Sequence, residues 1–288
     1  PSALEAEQEA AVQRILSDGS WKISIPGATA TNRDVSMLRP RQWMNDETIT
    51  FYMTMINERS KKAAAERTAA KTPADRKKWG AFYRVHCFNS YFWAKLDTEG
   101  YQSVSRWTRR IDVFAQDLIL IPCNLGNSHW TCAAINFRRK RVEYYDSMGG
   151  RNGRVVAALK DYLRRELKDK KKEGTVDVVP EEFGEYYGGE KSPQQRNGYD
   201  CGVFVCSTLE QLSRRDPHYP FDEDPEEEDE DEDSWEDDEG DDLGFNGHGN
   251  GGTAPSFSSG YQWNFSQDDM PYMRRRIIYE ISQKGLLD

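Results

Sequence analysis

Several features are scarce or missing in this 288-residue sequence, and each absence narrows the class of protein. The most apolar stretch, 118–122, is long enough for a buried strand but far too short to cross a membrane. The first residues contain no hydrophobic region typical of a secretory signal. The five cysteines form no CxxC pair, and their odd number gives no simple disulfide framework. We therefore expect no membrane insertion, a reducing compartment and no structural zinc.

Positive charge is absent from one long segment. Residues 222–242 contain 17 Asp and Glu among 21 residues, without a Lys or Arg, so the net charge of −10 hides a remainder of about +7. This run, and the Gly- and Ser-rich residues 244–260 after it, cannot bury enough apolar area to fold. We expect a disordered insertion at about 222–260 that is either a solvated loop or a regulatory, partner-binding segment.

The segment around Cys201 is the most informative part of what the sequence contains. Turn-rich residues 193–200 precede this cysteine, and the apolar run 203–212 after it predicts a helix. Cys201 would then lie at a helix N-terminus, where unpaired backbone N–H groups and the helix dipole favour the thiolate. The position indicates a cysteine nucleophile.

A base and an acid are expected beside each other on a hairpin. Residues 129–137 and 141–146 predict two antiparallel strands separated by a short polar turn. His129 begins the first strand and Asp146 ends the second, so the two are neighbours within a few residues of stagger. Asp146 can accept a hydrogen bond from one imidazole nitrogen while the other nitrogen faces the thiol.

Histidines are few, which makes the choice of base a matter of elimination. Of the four in the chain, His218 and His248 border or lie in a Gly- and Asp-rich segment. His86 has no acid on an adjoining strand. His129 is therefore the expected base if Cys201 is the nucleophile.

The remaining pattern alternates helices and strands around this hairpin. Helices are predicted at 3–16, 46–58, 90–96, 151–166, 202–212 and 268–283, and strands at 21–25, 118–123 and 175–179. Residues 60–78, rich in Ala, Lys and Thr, are expected to be a shorter insertion with helical content.

Short motifs in one order carry a family resemblance. The motifs are Trp43-Met44-Asn45-Asp46, Phe88-Asn89-Ser90, Gly126-Asn127-Ser128-His129-Trp130, Tyr145-Asp146-Ser147, and Pro193-Gln194-Gln195 through Asp200-Cys201-Gly202. Together they resemble the catalytic domain of a SUMO-specific cysteine protease of the Ulp/SENP family, over about 21–287. The resemblance implies a single α+β catalytic domain, 1–288, with the papain-like, adenovirus-protease-related fold. Its central sheet would be flanked by helices and interrupted by insertions at about 60–78 and 222–260.

The resemblance also implies roles for the catalytic residues. Cys201 would be the nucleophile, His129 the general base and then acid, and Asp146 the group that holds the imidazole. Gln195 matches the oxyanion-hole position, with the Cys201 backbone N–H as the second donor. The adjacent Gln194 remains an alternative donor at this stage.

Three further positions match residues that bind substrate in the family. Trp43 and Trp130 would close a narrow tunnel over a C-terminal Gly-Gly, since flat rings fit only over a chain without side chains. Strand alternation, however, directs Trp130 to the face opposite His129. Asp46 matches an acidic residue that contacts SUMO, and its sequence context also predicts an ordinary helix N-terminus.

The implied activity is thiol proteolysis after the C-terminal Gly-Gly of SUMO, in precursors and in lysine isopeptide conjugates. SUMO and SUMO-conjugated proteins would be the partners of a monomer in the nucleus, or at its envelope or pore, without a cofactor or nucleic acid. Two alternatives stay open. One is a protease for another ubiquitin-like modifier, a NEDD-type modifier or ubiquitin, and the other is a non-catalytic SUMO-binding module.

Overall fold

This computed structural model describes residues 3–215 and 261–287, which fold into both helices and strands. The acidic run, the Gly- and Ser-rich stretch, His218 and His248 lie outside these residues. The helices are α1 (Ala6–Ser17), α2 (Asn32–Ser36), α3 (Asp46–Ala69), α4 (Pro73–Gly80), α5 (Tyr91–Glu99), α6 (Gly153–Asp169), α7 (Cys201–Leu212) and α8 (Met270–Gln283). The strands are β1 (Lys22–Ile25), β2 (Ala28–Thr31), β3 (Val85–Cys87), β4 (Leu118–Leu125), β5 (His129–Asn136), β6 (Arg141–Tyr145) and β7 (Gly184–Tyr187).

A five-stranded mixed sheet in the order β3-β4-β5-β6-β7 forms the centre of the fold. Its inner strands β4, β5 and β6 are antiparallel, while β3 and β7 join the two edges in parallel. Strands β4 and β5 are apolar along nearly their whole length and are buried, as expected for strands covered on both faces. A separate two-stranded hairpin, β1 with β2, lies beside α3.

The two faces of the large sheet are covered by different helices. The apolar stripe of α6, which includes Val155, Leu159 and Tyr162, packs with α5 against one set of inward side chains. On the other face α7 packs against β5 and β4, and also contacts α3 and α8. Almost every side chain of α7 is buried, so the helix that begins at Cys201 is held on several sides.

Most sequence predictions agree with these elements to within a few residues. The helix expected at 46–58 is longer, because α3 continues to Ala69 and, with α4, makes most of 60–78 helical. Thr72 caps α4 through its side chain, and Pro73 occupies the first turn, where a missing N–H costs nothing.

The strand predicted at 175–179 is wrong. Lys171 and Gly174 adopt positive φ, so the chain turns repeatedly in this region, and Pro180 opens a short 3-10 helix. The edge of the sheet is occupied instead by β7, which pairs with β6. A parallel edge strand depends on a distant partner, and local alternation does not reveal it. Among the helices of 3–215 and 261–287, none is both long and apolar enough to cross a membrane.

Candidate active site

Cys201 is the first residue of α7, as the sequence predicted. Its side chain is only 2% exposed, yet it lies where the first N–H groups of the helix have no partner within the helix. These groups and the helix dipole create a positive potential around the sulfur. The backbone alone therefore supplies an environment suited to a thiolate.

His129 and Asp146 meet at the ends of two paired strands. The ladder between β5 and β6 ends with Cys132 opposite Tyr145, so Asp146 follows at the level of the first residues of β5. The distance from His129 Nε2 to Asp146 Oδ1 is 2.7 Å. The His129 side chain also hydrogen-bonds the thiol of Cys201. The three predicted residues therefore form one hydrogen-bonded chain.

Backbone groups fix the orientation of Asp146. The N–H of Met148 donates to Asp146 Oδ1 at 2.8 Å, and the N–H of Gly150 donates as well. A Cβ placed on Gly150 would lie 2.4 Å from Asp146 Oδ2, closer than any normal contact. Glycine is therefore required at 150 for the backbone to approach the carboxylate. The pair Gly149-Gly150, one residue after the Tyr145-Asp146-Ser147 motif, is the signal in the sequence that could have indicated this close approach.

The hydrogen bonds among Cys201, His129 and Asp146 favour a charged imidazole and a charged carboxylate. Its hydrogen bond to Asp146 raises the pKa of His129 to about 9, the bond to Cys201 adds to this effect, and burial opposes it. Burial alone would raise the pKa of Asp146, but hydrogen bonds from His129, Met148 and Gly150 hold it below its usual value. The imidazole is therefore protonated at neutral pH. This is the charge state that stabilises a neighbouring thiolate.

The two predicted tunnel tryptophans, Trp43 and Trp130, are connected through Met44. The indole N–H of Trp130 donates to the Met44 carbonyl at 3.1 Å, and Trp43 is the preceding residue, with 47% of its surface exposed. Trp130 is itself buried, and its indole N–H reaches the segment that carries Trp43.

Met44 also packs against the start of the nucleophile helix. A Cβ on Gly202 would lie 2.8 Å from the Cβ of Met44, so only glycine permits this approach. The contact places the Trp43 segment directly beside Cys201. No sequence pattern predicts this contact, because Met44 and Gly202 are 158 positions apart.

The two candidate oxyanion donors differ in how their amides are used. The Gln194 amide nitrogen donates to the carbonyls of Gly189 and Ser192, at 2.8 and 2.9 Å, and is held in its own loop. The Gln195 amide accepts from Ser147 Oγ at 2.6 Å and donates to the Asn197 carbonyl. Since one Gln195 N–H remains for a further acceptor, the geometry favours Gln195 over Gln194.

Asp46 lies in the first turn of α3, and the N-cap is Asn45, which accepts from the Thr48 N–H at 3.1 Å. Within 3–215 and 261–287, the Asp46 carboxylate makes no hydrogen bond or ion pair. The helix is therefore capped without it. Its charge is available to a partner.

A cysteine at a helix start, an imidazole bonded to it and a carboxylate behind the imidazole define the class of papain-like thiol proteases. The chain matches the family described as the Ulp1 protease family, C-terminal catalytic domain, over residues 42–232. A Sentrin-specific protease from Caenorhabditis elegans is 31% identical over 99% of this chain and 32% of the relative. Sentrin-specific protease 2 from Pongo abelii is 35% identical over 65% of this chain and 28% of the relative.

A solved structure from the same family also matches this chain. The structure of the C-terminal Ulp1 protease domain in complex with Smt3, the yeast ortholog of SUMO, aligns with a TM-score of 0.63 and 25% identity. The alignment covers 98% of this chain and 96% of that chain. This chain therefore belongs to the Ulp1 protease family and has its α+β, papain-like fold. It spans about a third of the length of the curated relatives it matches.

Proposed function

We propose that this chain is the catalytic domain of a thiol protease that cleaves after the C-terminal Gly-Gly of SUMO, releasing either a precursor peptide or a lysine of a conjugated protein. The observation that carries the proposal is the hydrogen-bonded chain from Cys201 through His129 to Asp146, in which Nε2 of the imidazole is 2.7 Å from the carboxylate. An intact chain of this kind argues against a module that only binds SUMO.

The reaction follows from the charges at the site. The Cys201 thiolate attacks the carbonyl carbon of the terminal glycine, and the carbonyl oxygen becomes an oxyanion. Protonated His129 then gives its proton to the leaving amine, which produces a thioester. In the second half, His129 takes a proton from water, and the water oxygen attacks the thioester. The C–S bond then breaks, which restores the Cys201 thiolate beside protonated His129, and the carboxylic acid product loses its proton to solvent.

Gln195 is the side-chain donor to the oxyanion in this proposal. Its main-chain N–H donates to the Ser147 carbonyl at 2.7 Å, and its side chain accepts from Ser147 Oγ, so the residue is fixed to the end of the strand that carries Asp146. The second donor is the N–H of Cys201. Fixed donors of this kind lower the barrier, because they need no reorganisation when the charge develops.

The substrate tunnel is the proposed role of Trp43 and Trp130. Trp130 is bonded to Met44, the neighbour of Trp43, and Met44 packs against the start of α7. Two indoles that close over the substrate would admit only residues without a Cβ. Asp46, with a carboxylate not engaged in the described residues, lies three residues from Trp43 and is the proposed contact to a basic side chain of SUMO. A monomeric state and a nuclear location belong to the same proposal.

A panel of modifier probes tests this function. SUMO, ubiquitin and a NEDD-type modifier, each ending in a vinyl sulfone after Gly-Gly, are incubated with the chain, and adducts are mapped by mass spectrometry. We expect a covalent adduct on Cys201 with the SUMO probe alone, and no adduct with a SUMO probe ending in Ala-Ala. Labelling by ubiquitin or the NEDD-type modifier in place of SUMO would reassign the substrate. Noncovalent SUMO binding without any adduct would leave only the binding module.

A further inference from the structure

A buried carboxylate precedes the nucleophile in the chain. Asp200 is 3% exposed, and its oxygens accept hydrogen bonds from three side chains. Arg274 Nε donates at 2.8 Å, Gln267 Nε2 at 2.8 Å and Asn197 Nδ2 at 2.6 Å. Consecutive Cα atoms are about 3.8 Å apart. Asp200 therefore places a buried negative charge on the residue next to the nucleophile, and this charge disfavours a thiolate there unless it is balanced.

Arg274 supplies that balance from α8. Its guanidinium is 4% exposed, and Nη2 lies 2.7 Å from the same Asp200 oxygen that accepts from Nε, so the pair is held by two nitrogens. A buried pair with this geometry is strongly coupled, because little water screens it. The catalytic residues described above do not include Arg274.

The same guanidinium also binds backbone that leads to the tunnel. Its Nη1 donates to the carbonyl of Arg39 at 3.1 Å, and its Nη2 donates to the carbonyl of Gln42, the residue before Trp43, at 2.9 Å. Nη2 also donates to the Tyr199 carbonyl at 3.0 Å, two residues before Cys201. One side chain thus joins the segment before Trp43, the segment before Cys201 and the last helix.

The other charged groups near α7 are on different sides of the helix. His129 and Asp146 face the thiol from the sheet. The pairs Arg59 with Glu210 and Arg276 with Glu280 lie toward the later part of the helix, near Cys206. Among the residues that the structure describes, Arg274 is the cation paired with Asp200.

We propose that Arg274 is a positioning residue of this active site, which neutralises Asp200 beside the nucleophile and holds the Trp43 segment against the start of α7. The proposal rests on Cys201 as the nucleophile of the proposed function, but not on the identity of the modifier. Alkylation of Cys201 by iodoacetamide measures the first role without any substrate. Cleavage of a SUMO fusion measures the second.

The electrostatic role is tested by Arg274→Met across a series of pH values. An uncompensated carboxylate beside the sulfur disfavours the thiolate, so the pH midpoint of Cys201 alkylation should rise by about one unit or more. Asp200→Asn in the same background removes that carboxylate and should return the midpoint to the parent value. Arg275→Met is the matched control: this neighbouring side chain pairs with Glu9 instead, and its loss should leave the midpoint unchanged. An unchanged midpoint in folded Arg274→Met overturns this role.

The positional role is read from the double variant. Asp200→Asn with Arg274→Met is charge-balanced but leaves the carbonyls of Arg39, Gln42 and Tyr199 without their donor. We expect its alkylation to match the parent while cleavage of a SUMO fusion falls at least about tenfold, since small displacements of a reacting geometry are costly. Parent-like cleavage overturns this role.

One further variant keeps the test decisive if Arg274→Met does not fold, as judged by thermal melting. Arg274→Lys keeps the charge and loses the planar fork that reaches several carbonyls at once. Its alkylation midpoint should match the parent while its cleavage falls, and parent-like cleavage would again overturn the proposal. If the parent fails to cleave SUMO at all, the proposed function fails while the alkylation results still decide the electrostatic role.

Discussion

Cys201 and Cys206 lie five residues apart on α7, and both are buried, at 2% and 0% exposed. Their chemistry nevertheless differs, because different elements surround them. Cys201 has the open end of the helix and the hydrogen bond to His129, whereas burial, with nearby Glu280, raises the pKa of Cys206 well above its usual value. Burial therefore does not distinguish a reactive cysteine from an inert one. The difference comes from the donors and charges that neighbouring elements provide.

The largest expected effect comes from exchanging the sulfur itself. Cys201→Ser should reduce cleavage of a SUMO fusion by a factor on the order of 10⁶, the loss seen when a nucleophile is removed, with little change in SUMO affinity. Cys206→Ser should stay within about twofold of the parent, as for a small buried residue outside the site. Steady-state kinetics and a binding isotherm measure both. Similar losses of activity in the two variants would contradict the assignment of Cys201, and not Cys206, as the nucleophile.

Removing the Asp146 carboxylate, which orients His129, should make Cys201 less different from Cys206. We expect Asp146→Asn to lower kcat/KM by a factor on the order of 10⁴, the value known for the acid of a serine-protease triad. The pKa of His129 should also fall from about 9 toward its ordinary 6.5, so the fraction of protonated imidazole is lost at lower pH. The alkaline limb of the pH–rate profile should move down accordingly. A limb that stays in place would remove Asp146 from this role.

The oxyanion donor is expected to matter less than the acid. Gln195→Ala should lower kcat by roughly 10²–10³, with little change in KM. Gln194→Ala is its matched neighbour and should lower kcat less, since the Gln194 amide is already bonded to the carbonyls of Gly189 and Ser192. Steady-state assays rank the pair. The reverse order would make Gln194 the donor.

The smallest effect is expected from the close packing at the start of α7. Gly202→Ala puts a Cβ 2.8 Å from the Met44 Cβ, so Met44 must move and Trp43 with it. We expect a destabilisation of about 1–3 kcal/mol from overpacking, and a moderate loss of kcat. Gly198→Ala, where an added Cβ meets nothing within 4 Å, is the control and should behave like the parent in melting and kinetic assays. Equal behaviour of both variants would mean that Met44 yields freely.

Local sequence patterns predict the catalytic residues of this site better than they predict the contacts that hold those residues in place. The helix start at Cys201 and the hairpin that joins His129 to Asp146 each follow from periodicity within a few residues, and both predictions are confirmed. Strand β7 and the Met44 contact with Gly202 depend on partners far away in the chain. So does the bond from Arg274 to the Arg39 carbonyl, which spans 235 residues. Such contacts leave no local repeat in the sequence, so only the folded structure reveals them.

The proposed tunnel and the oxyanion donor are intermediate between the locally predicted residues and the long-range contacts. Only the family resemblance distinguishes Trp43, Trp130 and Gln195, because by local pattern alone the tryptophans resemble core residues and the glutamine resembles a loop residue.

An NMR titration of the His129 imidazole, in the parent chain and in Cys201→Ser, tests the ion pair at this site. We expect His129 in the parent to stay protonated until its pKa of about 9, because Asp146 and Cys201 both hydrogen-bond it. In Cys201→Ser the pKa should be lower, since no thiolate pairs with the imidazolium. A parent His129 that titrates near 6.5, or one that is indifferent to the loss of the sulfur, would contradict the ion pair on which this account depends.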